Sequence, residues 1–340
     1  MDHDLAPDGK IGIAYSSPTI WNDGVRFIEK QGSGGGWSQP ALIQPTESHV
    51  RSFVYTSSGI GSILSQKNQN SQTLTLSMQQ DPEWGHEIIE DSATGLGVRS
   101  ALVYDQNGNP LVCFGIYVGK GKNKVHELTL TRWNPMTQSW EQEALDSASL
   151  FFDVTMAIGP NGPVIACKAR EEAGDGSFTF ELRHLEFDGA QWNIQRFGPR
   201  PDPYFNLVIA VNPVTGTSAI AYRDSVESGQ FVHVLTQDSG NLWSEEVLSV
   251  SGFLRDFNFT PAGKPCVFAV DITPSASADR VLVWKTMGNW QKEIVLPVPT
   301  IGDAGMAGSL VMTAAGTPTI AFSLGSNPTI LFAKRNGTID

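Results

Sequence analysis

Pro7-Asp-Gly-Lys-Ile-Gly-Ile-Ala-Tyr15 couples a tight turn to an apolar strand, and the chain repeats that pattern almost to its end. Clear copies are Gln106-Asn-Gly-Asn-Pro-Leu-Val-Cys-Phe114, Pro160-Asn-Gly-Pro-Val-Ile-Ala-Cys167 and Pro213-Val-Thr-Gly-Thr-Ser-Ala-Ile-Ala-Tyr222. Pro261-Ala-Gly-Lys-Pro-Cys-Val-Phe-Ala269 and Ala314-Ala-Gly-Thr-Pro-Thr-Ile-Ala-Phe322 follow, and the copy around Ser58-Gly-Ile-Gly-Ser-Ile-Leu64 is the most degraded. Glycine supplies the positive φ that such a hairpin turn needs.

A second feature keeps step with the first. Trp37, Trp84, Trp140, Trp192, Trp243 and Trp290 are separated by 47, 56, 52, 51 and 47 residues, and each opens a strand-like run such as Trp243-Ser-Glu-Glu-Val-Leu248. Alternating stretches lie between the two features, for example Val25-Arg-Phe-Ile-Glu29, Glu127-Leu-Thr-Leu-Thr-Arg132 and Val281-Leu-Val-Trp-Lys285. Each unit therefore reads strand A, tight turn, strand B, polar loop, strand C, short turn, strand D. Self-similarity at this period signals a repeat architecture, and four antiparallel strands per repeat predict a β-propeller.

Seven B strands predict seven blades in one all-β domain, residues 1–340. The expected blades run approximately 1–46, 47–93, 94–147, 148–200, 201–250, 251–299 and 300–340. The last is expected to be three-stranded or completed by the N-terminal residues. A β-sandwich is the alternative, but it does not require so regular a repeat.

Composition narrows the partners. A net charge of −12 argues against nucleic acid, which is held by neutralising its phosphates, and against anionic membrane surfaces. No run of about 18 apolar residues is present to form a membrane-spanning helix. The opening Met-Asp-His-Asp-Leu lacks the basic and apolar regions of a secretory signal. A soluble protein is expected, its compartment and oligomeric state left open, secretion included. Cys113, Cys167 and Cys266 each fall in an apolar B strand and read as buried free thiols.

Thr236-Gln-Asp-Ser-Gly-Asn-Leu-Trp243, at a C–D turn, resembles the Asp-box of sialidase-like propellers, Ser-x-Asp-x-Gly-x-Thr-Trp. Asp188-Gly-Ala-Gln-Trp192 is a weaker echo. The resemblance implies that Asp238 binds the turn's own amides, that Gly240 takes the strained φ and that Trp243 packs between blades. Asp-boxes are structural and sit away from active sites, so they carry the fold and not the function.

In a propeller the B–C loops and D–A connections gather on one face around the axis. Here the B–C segments read as long and dissimilar, notably Gly115–Lys124, Lys168–Ser177 and Arg223–Gly229. Their inequality favours one asymmetric pocket over several equivalent lectin sites. Arg51, Arg99 and Arg255 stand near the start of strand A, and Arg170 and Arg223 follow strand B. Guanidinium forks from several blades suit a carboxylate clamp; inter-blade pairing with Asp153, Glu171, Asp224 or Asp256 is the structural alternative. His49, two residues before Arg51, is a candidate acid/base. Trp21, Tyr117, Tyr204 and Phe205 are candidate walls. His126, His184 and His233 read as structural strand-C residues, and no pairing of histidines suggests a metal site.

The expected function is binding, with transformation, of a small organic or sugar-derived ligand without metal or redox cofactor. Orientation and hydrogen bonding alone would serve a cyclase or a lyase. The alternatives are a carbohydrate-binding lectin, a sialidase-like glycosidase and a protein-interaction platform.

Overall fold

The computed structural model describes residues 1–16, 24–30, 35–44, 48–67, 72–80, 83–92, 96–119, 124–200, 206–226, 229–272, 277–298, 307–324 and 329–339. They form two compact units, Met1–Val154 and Thr155–Asp340. None of the described segments is a helix able to cross a membrane.

Three four-stranded antiparallel sheets fill the first unit. They are β1–β4 (Asp2–Leu5, Ile11–Ser16, Val25–Lys30, Ala41–Gln44), β5–β8 (Ser48–Tyr55, Gly61–Lys67, Gln72–Gln80, Glu83–Ser92) and β9–β12 (Leu96–Tyr104, Pro110–Val118, Val125–Asn134, Ser139–Ala148). A fourth sheet consists of β13–β16 (Leu150–Gly159, Gly162–Glu172, Phe178–Phe187, Trp192–Arg200), with β13 crossing the unit boundary.

The second unit continues with seven hydrogen-bonded strands in sequence order, β17–β23 (Leu207–Val211, Ser218–Val226, Gly229–Gln237, Trp243–Phe259, Pro265–Ile272, Ala278–Thr286, Asn289–Leu296). It closes with three strands, β24–β26 (Gly308–Met312, Pro318–Leu324, Thr329–Lys334). In the seven-stranded sheet β20 serves twice. Its first part pairs with β19, with Val247 opposite His233, and its second part pairs with β21, with Leu254 opposite Ala269. The architecture is that of a β-propeller built from antiparallel blades.

Five of the A–B turns share one hydrogen-bond pattern. Asp105 N–H donates to the Asn109 carbonyl and Gly108 N–H to the Asp105 carbonyl, and turns starting at Ala6, Thr56, Thr260 and Thr313 do the same. The fourth turn residue is a glycine with φ near +80° in each, a conformation that a Cβ would disfavour. The regular glycine in the sequence thus has a backbone cause.

Adjacent first strands are stitched together by side chains one repeat apart. The Asp2 and Asp4 carboxylates accept the Phe53 and Tyr55 N–H groups at 2.8 and 2.7 Å. Asp256 accepts the Leu310 N–H at 2.6 Å.

Trp84, Trp140 and Trp243 fill seams outside this layer. Trp84 meets Phe27 of the preceding sheet edge-on at 5.2 Å, and Trp140 donates its Nε1–H to Glu87 at 2.7 Å. Trp243 packs on His184 and Phe197, with ring centroids 4.9 and 5.1 Å away, as its resemblance to an Asp-box tryptophan implies.

Outer strands carry a matching irregularity. Ile43, Ile89, Leu145 and Val295 are each skipped in the pairing with the neighbouring strand. Such bulges twist an edge away from further pairing, which protects it from aggregation.

Two sequence expectations need correcting. The B–C segments are largely strand: β14 runs through Glu172 before a tight Ala173–Ser177 turn, and β18 extends to Val226. At the Asp-box-like turn the left-handed residue is Asn241, φ 60°, and not Gly240. Asparagine tolerates that region, so the glycine is not required for it. Asp238 does bind its own turn, accepting from Gly240 N–H at 2.8 Å and Leu242 N–H at 2.9 Å.

Candidate functional site

Two of the predicted arginines share a backbone device, and a third lies in an irregular segment. Arg51 is the extra residue between the Val50–Ser65 and Ser52–Leu64 pairs. Arg255 is likewise skipped between Leu254–Ala269 and Asp256–Phe268. Arg99 lies in the irregular segment of β9 between the pairs made by Leu96 and Ser100; its side chain is outside the described residues. An extra residue bends the strand and re-aims a side chain, and bulges recur beside active sites.

In the second unit this device brings residues together. The Arg223 guanidinium lies 4.1 Å from the Phe253 ring centroid, and Arg255 lies 5.1 Å from the same ring. Arg223 is only 3% exposed and Arg255 half-buried. A cation is drawn to an aromatic face by the ring quadrupole, more strongly where water is excluded. Two guanidiniums thus approach one ring, and guanidinium forks are groups that can recognise anionic oxygens. Arg170 uses a different ring, lying 4.3 Å from the Phe178 centroid at the β14–β15 turn.

Phe253 precedes Arg255 by two residues, as His49 precedes Arg51. In the first unit Arg51 donates its Nε–H to Gln66 Oε1 at 2.9 Å. Burial first, and the Arg51 charge second, hold the half-buried His49 imidazole below its ordinary value of 6.5. His49 is therefore neutral near pH 7 and able to accept a proton.

Tyr117 serves elsewhere. It stands directly across from His126, ring to ring at 4.5 Å, with Lys124 5.6 Å from its centroid. His126 is fully buried and accepts the Phe151 N–H through Nδ1 at 2.9 Å, which fits the structural role expected of it. Trp21, Tyr204 and Phe205 lie outside the described residues.

Other groups with catalytic-looking chemistry are locked into the sheets. The Tyr222 hydroxyl donates to Glu245, which also meets His233 Nδ1 at 2.8 Å. Tyr222 nevertheless packs in an apolar cluster with Val164, Ala166, Leu182 and Leu207. Glu171 engages the fully buried Arg183, which also binds Glu181. His184 is pushed down to about 4 by burial against Trp243. Among the described residues no group of three or more His, Cys, Asp or Glu is placed to hold a metal ion.

Phe178 and Arg183 were not legible as site neighbours. Phe253 is among the bulky apolar residues that the sequence places on the B–C/D–A face, but its approach to Arg223 is not legible there.

Neither a protein-family model nor a curated protein sequence matches the chain. Solved structures do. The lectin BP39L from Burkholderia pseudomallei aligns over 99% of this chain and 97% of its own, with a TM-score of 0.65 and 15% identity. The Hadza microbial sialidase Hz136 aligns over 93% of this chain and 73% of its own, at 0.55 and 15% identity. The α-L-arabinofuranosidase Arb93A from Fusarium graminearum aligns over 83% and 91%, at 0.52 and 11% identity. Likeness at such identity is likeness of fold. The chain has the β-propeller fold of sialidase-like and lectin proteins.

Proposed function

We propose that the chain binds a small anionic, sugar-derived or organic ligand, with Arg223 and Arg255 as its grip and Phe253 as its platform. The observation that carries this reading is the approach of both guanidiniums to one ring. The lectin and glycosidase names of the fold relatives support a sugar-derived ligand over other anions. On this reading β20 serves as the outer strand of one blade and the inner strand of the next, so that the chain would be a seven-bladed single domain over 1–340 with a three-stranded last blade.

Isothermal titration with N-acetylneuraminic and glucuronic acids, alongside their neutral counterparts, tests the reading. One acidic sugar per chain should bind. Arg223→Gln or Arg255→Gln should weaken it about tenfold or more, since a hydrogen bond to a charged group contributes roughly 1.5–3 kcal/mol. Several equivalent sites per chain would overturn the single-site reading. Equal binding of neutral sugars would overturn the arginine grip.

A catalytic reading rests on a separate feature, the half-buried His49 imidazole that burial and the Arg51 charge hold below its ordinary value. Lyase-type chemistry needs a base that is unprotonated near neutral pH and a cation to steady the developing charge. Loss of turnover in His49→Gln with unchanged ligand affinity would support it; unchanged turnover would remove His49 from any such role.

A further inference from the structure

Among the described residues the sheet β24–β26 has three strands, and a cleft of about 310 Å³ lies beside it. Buried Leu282 and Ile320 contribute the apolar lining, with Glu293, Ala333, Lys334 and Arg335 also facing the space. The repeat shows what the other sheets place there.

Strand registers set the correspondence. Pro110, Pro265 and Pro318 begin equivalent B strands, and the residue after each pairs with Arg132, Trp284 and Lys334 respectively. The next residues along, Trp133, Lys285 and Arg335, are therefore equivalent. In the complete sheets this position faces the outer-strand tryptophan directly: Trp133 pairs with Trp140, and Lys285 with Trp290. The rings of Trp133 and Trp140 are 5.6 Å apart, and Lys285 Nζ lies 5.9 Å from the Trp290 centroid.

The far wall repeats as well. Glu87, Glu246 and Glu293 each stand three residues after an outer-strand tryptophan. Lys285 reaches back to Glu246 at 2.6 Å, just as Arg335 reaches back to Glu293 at 2.9 Å. In an earlier seam Glu87 also accepts the indole N–H of the next sheet's Trp140. Glu293 thus holds the position from which Glu87 receives an indole. By this correspondence the cleft stands where the complete sheets seat a tryptophan, with Arg335 opposite and Glu293 at its rim.

We propose that the outer edge of β26 is a docking site for an extended tryptophan-bearing peptide, added as a fourth antiparallel strand with its tryptophan seated in this cleft. Main-chain pairing to an edge supplies affinity and a side-chain pocket supplies selectivity, the logic of strand addition. Charge defines the partner further. Arg132, the equivalent of Lys334, binds Glu143, three residues after Trp140, at 2.7 Å. The favoured partner strand therefore reads Trp-x-x-Glu, the pattern of this chain's own outer strands at Trp84, Trp140, Trp243 and Trp290.

A labelled peptide with the 289–296 sequence, Asn-Trp-Gln-Lys-Glu-Ile-Val-Leu, is the probe, titrated against the full chain by fluorescence anisotropy. Saturable one-to-one binding is expected, weakened about tenfold or more when the peptide's tryptophan is alanine, the typical cost of removing a buried aromatic anchor. Ala333→Trp, which fills the cleft from within, should abolish binding. Arg335→Ala, which leaves the strand's apolar packing intact, should weaken it if the Ala333→Trp chain does not fold. No binding at ~1 mM peptide, or equal binding by the alanine peptide, would overturn the proposal. So would a peptide that binds the Ala333→Trp chain unchanged.

Discussion

Asp4 accepts the backbone N–H of Tyr55 at 2.7 Å, joining the first strands of two neighbouring sheets. It also accepts from Leu5 N–H at 2.8 Å. Burial outweighs these hydrogen bonds and the carboxyl is pushed up from 3.8 to about 7, with nearby Asp2 adding to the rise. Between those values the unfolded chain has released this proton and the folded chain still holds it. The contribution of Asp4 to stability is therefore present in full below about pH 4, is lost as pH rises towards 7, and is level above that. Asp4→Asn should flatten this slope, which is on the order of 4 kcal/mol across the window. Urea midpoints measured from pH 4 to 8 for both chains would show it. Parallel curves would mean that Asp4 is already ionised at acid pH.

Gly115 is small because of His126. A Cβ on Gly115 would lie 2.3 Å from His126 Cε1, and the ring cannot retreat without releasing its bond to Phe151 N–H. Gly115→Ala should cost about 1–3 kcal/mol, the usual penalty for overpacking a dense core. Thermal unfolding would register a clear drop in Tm. An unchanged Tm would mean that the imidazole moves freely, and that its position between Tyr117 and Phe151 is not fixed by packing.

The turn at Asp238 separates two readings of one motif. Asp238→Ala removes the acceptor for two turn amides and should cost about 1 kcal/mol. Gly240→Ala should cost much less, because Gly240 is not in the left-handed region. Asn241 is, so Asn241→Gly should be tolerated at least as well. Denaturant midpoints of the three variants settle the order. A larger loss at Gly240 than at Asp238 would reverse it.

These turns also show why the scaffold was legible. A glycine at positive φ and a tryptophan in a seam are local demands repeated about every fifty residues, so the sequence displays them directly. Strand lengths were harder. Lys168-Ala-Arg-Glu-Glu172 looks like a loop because its charged residues cluster, yet it continues β14 towards a tight turn. The double role of β20 was hidden because Val250-Ser-Gly-Phe253 reads as a connection, whereas its backbone stays extended. The arginines could be found as candidates, and the bulges at Arg51 and Arg255 could not, since a bulge is defined by a partner strand. The Phe253 platform needed the same knowledge, because Arg223 reaches it from another strand.

Cys113, Cys167 and Cys266 test the seams through chemistry. All three are fully buried, and burial pushes the Cys266 thiol far above its ordinary value, with Asp256 adding to the rise and Arg335 opposing it. Thiolate is the reacting form, so both access and ionisation are suppressed in the folded chain. A thiol-specific chromogenic reagent should find no reactive group in the native protein and three after denaturation. In mild denaturant the reaction rate should follow the opening of the sheets that hold each cysteine, because a buried thiol becomes available only when its surroundings unfold. Cysteine-to-serine variants would assign the phases. Rapid labelling of any one cysteine in native buffer would show that its sheet opens locally far more readily than the close packing of these strands implies.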